Sequence, residues 1–229
     1  NLTVVWGSRD QDGNTWGVYA QRFGGIVPQA LRVDTSGNGI LEPGEITDFR
    51  PTWQNINGAA QTFMGNLANA DGPPDGIPVF LNPTCPYGAV PDGVSTECNG
   101  PTVVIPNPSP RPVTHWDGTV VESITPDAQG QQKQWLLHVG SSFTDVPVWS
   151  PFYRFVETLL HHGATGGCSA TQYCPASSTT REQMAVFVLV AKEGIGIAPA
   201  ACTTPMFTDV PASSPFCRWI EELARRGVV

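Results

Sequence analysis

FTDVPVWSPFYRFVETLLHHG, residues Phe143–Gly163, returns as FTDVPASSPFCRWIEELARRG at Phe207–Gly227. The second copy begins 64 residues after the first and runs without a gap. Phe, Thr, Asp, Val, Pro, Ser, Pro, Phe, Arg, Glu and Gly fall on themselves. A repeat at a fixed period sets the architecture ahead of any other signal. Each copy reads as a turn followed by an amphipathic helix. Ser150 and Ser214 suit the N-cap, where a hydroxyl accepts from an unpaired first-turn N–H. Pro151 and Pro215 follow, where a missing N–H is harmless. Phe152, Phe155, Val156, Leu159 and Leu160 share one side at helical spacing, as do Phe216, Trp219, Ile220 and Leu223. Gly163 and Gly227 stand where a left-handed C-cap is expected. His161, His162, Arg225 and Arg226 place positive charge in the last turns.

The first copy continues. Thr180 and Gln183 have the spacing of a capping box and open REQMAVFVLVAKEG, a second helix ending near Gly194. GGCSATQYCP lies between the two helices. FTDVP (Phe143–Pro147), HGATGG (His162–Gly167), YCP (Tyr173–Pro175) and TTREQM (Thr179–Met184) together resemble the S-layer homology (SLH) family. The resemblance covers Phe143–Gly194 fully and Phe207–Val229 by half. It implies helical repeats, and anchoring to cell-wall polysaccharide with Asp145 and Arg181 at motif positions. Glu182 stands where the family has Ala, and the cysteines are additions, so anchoring does not transfer automatically. On a purely structural reading, Asp145 and Asp209 cap turns and Arg181 makes a helix-start ion pair.

Residues 34–45 hold the sharpest chemistry. Counted from Asp34, the loop DTSGNGILEPGE puts Ser36, Asn38, Ile40, Glu42 and Glu45 at positions 3, 5, 7, 9 and 12, with Gly39 at position 6. That is the oxygen-ligand spacing of an EF-hand loop, with Ile40 offering its carbonyl, and it points to Ca²⁺. Pro28 before it and FRPTWQNI after it suggest flanking strands in place of helices. The segment resembles the "NGxLEPGE" loop that opens Ig-like β-sandwich modules of secreted bacterial proteins, where Ca²⁺ clamps a strand. A Gly-rich turn with solvated carboxylates is the simpler alternative.

The rest reads as strands. NLTVVWGS and TWGVYAQRF form a hairpin around RDQDGN, in which Asp10, Asp12 and Asn14 alternate like a calcium loop, although a plain Asp-Gly turn, the favoured reading, explains them as well. Between residues 46 and 140, short strands such as GIPVFLN, PTVVIP and THWDGTVVESI alternate with Gly, Pro and Asn turns. In QWLLHV, Trp135, Leu137 and Val139 alternate inward and His138 takes the other face. The expected class is multidomain, all-β plus α: a hairpin (1–24), an Ig-like β-sandwich (25–140), one SLH-type helical repeat (141–200) and half of a second (201–229).

Composition bounds the function. The 229 residues include 24 Gly and 22 Pro, only 14% are charged, and the net charge is −8. Without a basic block, nucleic acid and an anionic membrane surface are poor partners, and nothing suggests membrane insertion. Six cysteines fall in local pairs, Cys85/Cys98, Cys168/Cys174 and Cys202/Cys217, as in disulfide-bonded extracellular proteins. Starting at Asn1 and stopping midway through a repeat, the sequence reads as a piece of a longer secreted protein. No HExxH, GxSxG or phosphate-cradling loop is present, and Glu221 and Glu222 read as helix-surface charges. His115 and Asp117 share a strand face as a structural polar pair. These features point to a non-enzymatic structural protein of a cell-surface fibre or layer, polymerising with copies of itself. Binding of cell-wall polysaccharide, as an anchor or adhesin, and the tail of a secreted hydrolase are the alternatives.

Overall fold

The computed structural model describes residues 2–8, 17–126 and 131–228. The chain divides into two compact units, Asn1–Pro108 with Gly118–Leu137, and Ser109–Asp117 with His138–Val229.

In the first unit, β1 (Leu2–Ser8) pairs antiparallel with β2 (Gly17–Phe23). The turn between them, with Asp10, Asp12 and Asn14, lies outside the described residues. The remaining strands are β3 (Ile26–Val33), β4 (Ile46–Asn55), β5 (Gln61–Asp71), β6 (Val79–Leu81), β7 (Thr84–Val90), β8 (Ser95–Glu97), β9 (Thr102–Val104), β10 (Trp116–Thr125) and β11 (Gln132–Val139). They form two antiparallel sheets, β11-β10-β5-β7 and β3-β4-β9-β6, with β8 paired to β4. Alternation makes the strands. Phe49, Pro51, Trp53 and Asn55 of β4 are buried, as are Val120, Glu122 and Ile124 of β10. Cys85 of β7 is bonded to Cys98.

The core of this unit contains a carboxylate. Glu122 is fully buried and accepts from Trp53 Nε1 and Trp135 Nε1 at 2.8 Å each and from the Tyr87 hydroxyl at 2.8 Å. Trp53 comes from one sheet, Trp135, Tyr87 and Glu122 from the other, so the acid ties the two faces together. Trp53 and Trp135 also meet edge to face, with centroids 6.3 Å apart. Gly65 on β5 lies against Glu122 with no room for a Cβ.

The second unit carries α1 (Tyr153–His161), α2 (Arg181–Glu193) and α3 (Cys217–Arg225). The helical repeats expected behind the sandwich are corrected here. Strand accounts for 33% of the chain and helix for 15%, in three short helices among the described residues. The physical reason is the bracket around each repeated helix. Pro151 and Gly163 bound α1, Pro215 and Gly227 bound α3, and both glycines take positive φ (67° and 71°). Each 21-residue stretch therefore holds a single nine-residue helix, and α2 follows the first of them after a long loop.

Ser150 and Ser214 are not the N-caps. Their hydroxyls accept from the N–H two residues on, of Phe152 (3.3 Å) and Phe216 (3.2 Å), and the helices start after that turn. The Thr180–Gln183 capping box forms in both directions. Ala185 and Leu189 of α2 pack on Leu223 of α3, flanked by Trp219 and Ile220.

Burial raises the pKa of Glu122 above the ordinary glutamate value, against the pull of its three donors. The folded state thus keeps this proton to higher pH than the unfolded chain. Stability falls as pH rises from about 4.5, the ordinary value, through the folded value. Glu122→Gln makes that slope shallower in urea titrations between pH 4 and 8 and is at least as stable as wild type near neutrality. Glu122→Ala orphans three buried donors and costs roughly 3 kcal/mol or more. An unchanged slope in Glu122→Gln contradicts this account.

Candidate functional site

Three groups of ligating side chains lie in the described residues. In one, Cys202, Cys217 and Glu221, both sulfurs are taken up in a disulfide, and the other two lie one in each unit. In the first unit, the 34–45 loop joins β3 to β4, so strands flank it. Asp34 is buried, and its Oδ2 accepts from the backbone N–H of Asn38 (2.7 Å) and Gly39 (3.1 Å). Asn38 Oδ1 accepts from Ile40 N at 2.8 Å, and its amide donates to Glu42 Oε1 at 2.8 Å. Glu45 Oε2 accepts from Glu42 N at 3.0 Å. One carboxylate oxygen from each of Asp34, Glu42 and Glu45 falls within a 4.8 Å group. Burial, reinforced by the charges of Glu42 and Asp34, pushes the Glu45 carboxyl up to about 7. Asp34, Asn38, Glu42 and Glu45 are brought together, Ser36 is exposed, and Ile40 turns its side chain inward.

The second cluster is built around Glu157, and the sequence reading missed it. Glu157 is fully buried on the inner side of α1 beside Tyr153, Val156 and Leu160. It accepts from Ser142 N (3.0 Å) and Ser142 Oγ (2.7 Å), while His138 Nε2 lies 2.9 Å from its Oε2. His138 does occupy the opposite face of β11 from Leu137 and Val139, yet it too is buried. Its other nitrogen, Nδ1, lies 2.7 Å from Asp117 Oδ1. Asp117 also meets His161 Nδ1 at 3.2 Å and His115 Nε2 at 3.1 Å. The His115–Asp117 pair is thus the outer half of a five-residue group.

Arg111 holds the two chain segments together. Its guanidinium donates to the carbonyls of Val139 and Gly140 at 2.7 Å each, Val113 at 2.9 Å and Thr114 at 3.2 Å, and lies 5.2 Å from the Trp116 ring. Burial works against the Asp117 charge, but the hydrogen bonds of His138 and His161 hold its carboxyl well below the usual range. Burial likewise opposes the charge of His138, and Asp117 and Glu157 outweigh it and raise its pKa. Burial outweighs Asp117 at His115, and with its imidazole neighbours lowers its pKa.

One sequence signal did point here: all four histidines of the chain fall between positions 115 and 162. The other is the repeat itself. Glu157 and Glu221 are equivalent, and both are buried, contrary to the surface reading of Glu221. Glu221 Oε1 accepts from Met206 N at 2.8 Å, and Met206 is the equivalent of Ser142. The buried acid therefore clamps the chain just ahead of FTDVP in both copies.

Asp145 accepts from Tyr173 N and Cys174 N at 2.8 Å each, so it caps the loop closed by the Cys168–Cys174 bond. Arg181 lines a different groove, of about 660 Å³, with Thr180, Glu182, Phe207 and Asp209. Cys202 and Cys217 are also bonded, and none of the six cysteines is free. Neither a protein-family model nor a curated protein matches this chain.

Proposed function

We propose that the chain is a non-catalytic structural module of an extracellular assembly, joined to neighbouring copies through α1 and stiffened by disulfides and Ca²⁺. The observation that carries the reading is the outer side of α1 and of the turn that leads into it. Trp149, Phe152 and Phe155 are 83%, 65% and 66% exposed, with exposed Val148 beside them. Scattered apolar exposure is ordinary, but four large apolar side chains within eight residues mark an interaction surface. The sequence reading put Phe152 and Phe155 on the buried face, whereas the inward row is Tyr153, Val156, Glu157 and Leu160. Three disulfides suit an oxidising compartment, and no described helix is long and apolar enough to cross a membrane.

The 34–45 loop supports Ca²⁺ because it converges three carboxylates on one point and buries them in part. A second reading, capture of wall polysaccharide, is favoured by the groove where Arg181, Glu182 and Asp209 stand beside Phe207 and Ile220. A sugar ring has polar edges and apolar faces, which suits such a lining.

Negative-stain microscopy and light scattering test the assembly. Wild type forms polymers, and Trp149→Ser with Phe155→Ser yields discrete particles with an unchanged melting temperature. Wild type that stays monomeric at every concentration contradicts the proposal. Retention on cell-wall polysaccharide that disappears with Arg181→Ala shifts the balance to the second reading.

Calcium is tested by thermal melting. A free concentration 100 times the Kd stabilises wild type by about 2.7 kcal/mol. Glu45→Gln loses most of that gain. Equal shifts in both proteins, or no shift in wild type, contradict the site.

A further inference from the structure

We infer that His115, Asp117, His138 and His161 form a binding site for a divalent transition ion of the zinc class. Four donors converge: one ligand atom from each of His115, Asp117, His138 and His161 lies within 4.8 Å of the others, and the nitrogens turned to the Asp117 carboxylate are His138 Nδ1, His161 Nδ1 and His115 Nε2. The three contacts that Asp117 makes measure 2.7, 3.2 and 3.1 Å. Ligands about 2.0–2.1 Å from a tetrahedral ion stand about 3.3–3.4 Å apart, so these side chains need only small rotations to enclose one. Three imidazoles and one carboxylate suit zinc or its neighbours, whereas Ca²⁺ prefers the all-oxygen set of the 34–45 loop.

The group behind the cluster is what distinguishes it from a chance gathering of polar side chains. A histidine that binds a metal through one nitrogen ordinarily gives its other N–H to a carboxylate, which fixes tautomer and ring orientation. Glu157 is placed for that role, 2.9 Å from His138 Nε2, and is itself held by the amide and hydroxyl of Ser142. His138 Nδ1 is thereby aimed at the centre. Arg111, through the carbonyls of Val113, Thr114, Val139 and Gly140, fixes the segment bearing His115 and Asp117 against the one bearing His138. His115 is the outermost donor and borders an open groove of about 620 Å³ with Thr114 and Gly163, which provides a path from solvent.

The second copy of the repeat acts as an internal control. It keeps the buried acid as Glu221 but has Cys202, bonded to Cys217, where the first copy has His138, and Arg225 where the first has His161. The clamp on the chain therefore forms without imidazoles. With every cysteine bonded, no thiolate competes for the ion.

The test is calorimetric titration of chelator-treated, tag-free protein with ZnCl₂ at neutral pH, paired with Co²⁺ absorption spectra. Wild type binds one zinc at this site and gives the visible bands of four-coordinate Co²⁺. His161→Ala and His115→Ala weaken zinc at least 100-fold. Glu157→Gln weakens it about 10–100-fold, as loss of an outer-shell partner does. His162→Ala, which alters the adjacent exposed imidazole, leaves the affinity unchanged. Melting curves in chelator check that each variant is folded, and half-exposed His115 gives a variant whose fold does not depend on that side chain. No saturable zinc binding by wild type overturns the inference. So does an affinity that is the same in His115→Ala and His161→Ala as in wild type, which leaves the cluster as a hydrogen-bonded ion network only.

Discussion

A carboxylate buried without partners is among the costliest things a protein can contain, and Glu157 shows how this chain meets that constraint. Its two oxygens take the amide and hydroxyl of Ser142 and face one nitrogen of His138. Meeting those demands docks α1 against the segment that precedes it and sets the plane of the His138 ring. The orientation of His138 decides where Asp117 sits, and Asp117 gathers His115 and His161. One buried acid thus organises a polar cluster spread over 47 residues of sequence, from 115 to 161.

The same solution recurs. Glu221 takes the amide of Met206 in the second copy, and Glu122 takes two indoles and a phenol in the first unit. Each buried acid joins separate chain segments, and disulfides, one in the first unit and two in the second, limit the freedom of the unfolded chain. With 24 Gly and 22 Pro in 229 residues, much of the chain is turn and loop. Directed polar contacts and covalent bonds then do part of the work that larger apolar layers do elsewhere. The aromatic side chains of Phe152 and Phe155 face outward and add nothing to the core beneath α1.

Local physics was legible in the sequence. The capping box at Thr180, the helix-ending glycines, the strand-forming runs of β4 and β10, the inward alternation of Trp135, Leu137 and Val139, and the three cysteine pairs each depend on residues close together in the chain. What was hidden depends on residues far apart. α1 has apolar side chains on more than one side, so periodicity alone could not decide between the Phe152/Phe155 face and the Tyr153/Val156/Leu160 face. The choice follows from the Ser142 amide and His138, which only the fold brings to Glu157. Glu221 looked like a surface charge for the same reason, because the amide it caps is 15 residues away. The helix-forming residues of the repeat stand out in the sequence, while the turns and loops around them carry no periodic signal.

Anomalous diffraction at the zinc edge, from crystals grown with one equivalent of Zn²⁺, tests most directly whether Glu157 aims His138 at an ion. A peak bounded by Asp117, His115, His161 and His138 Nδ1, with Glu157 still against His138 Nε2, is the predicted result. A map with no peak there, in which His138 still bridges Asp117 and Glu157, would contradict it.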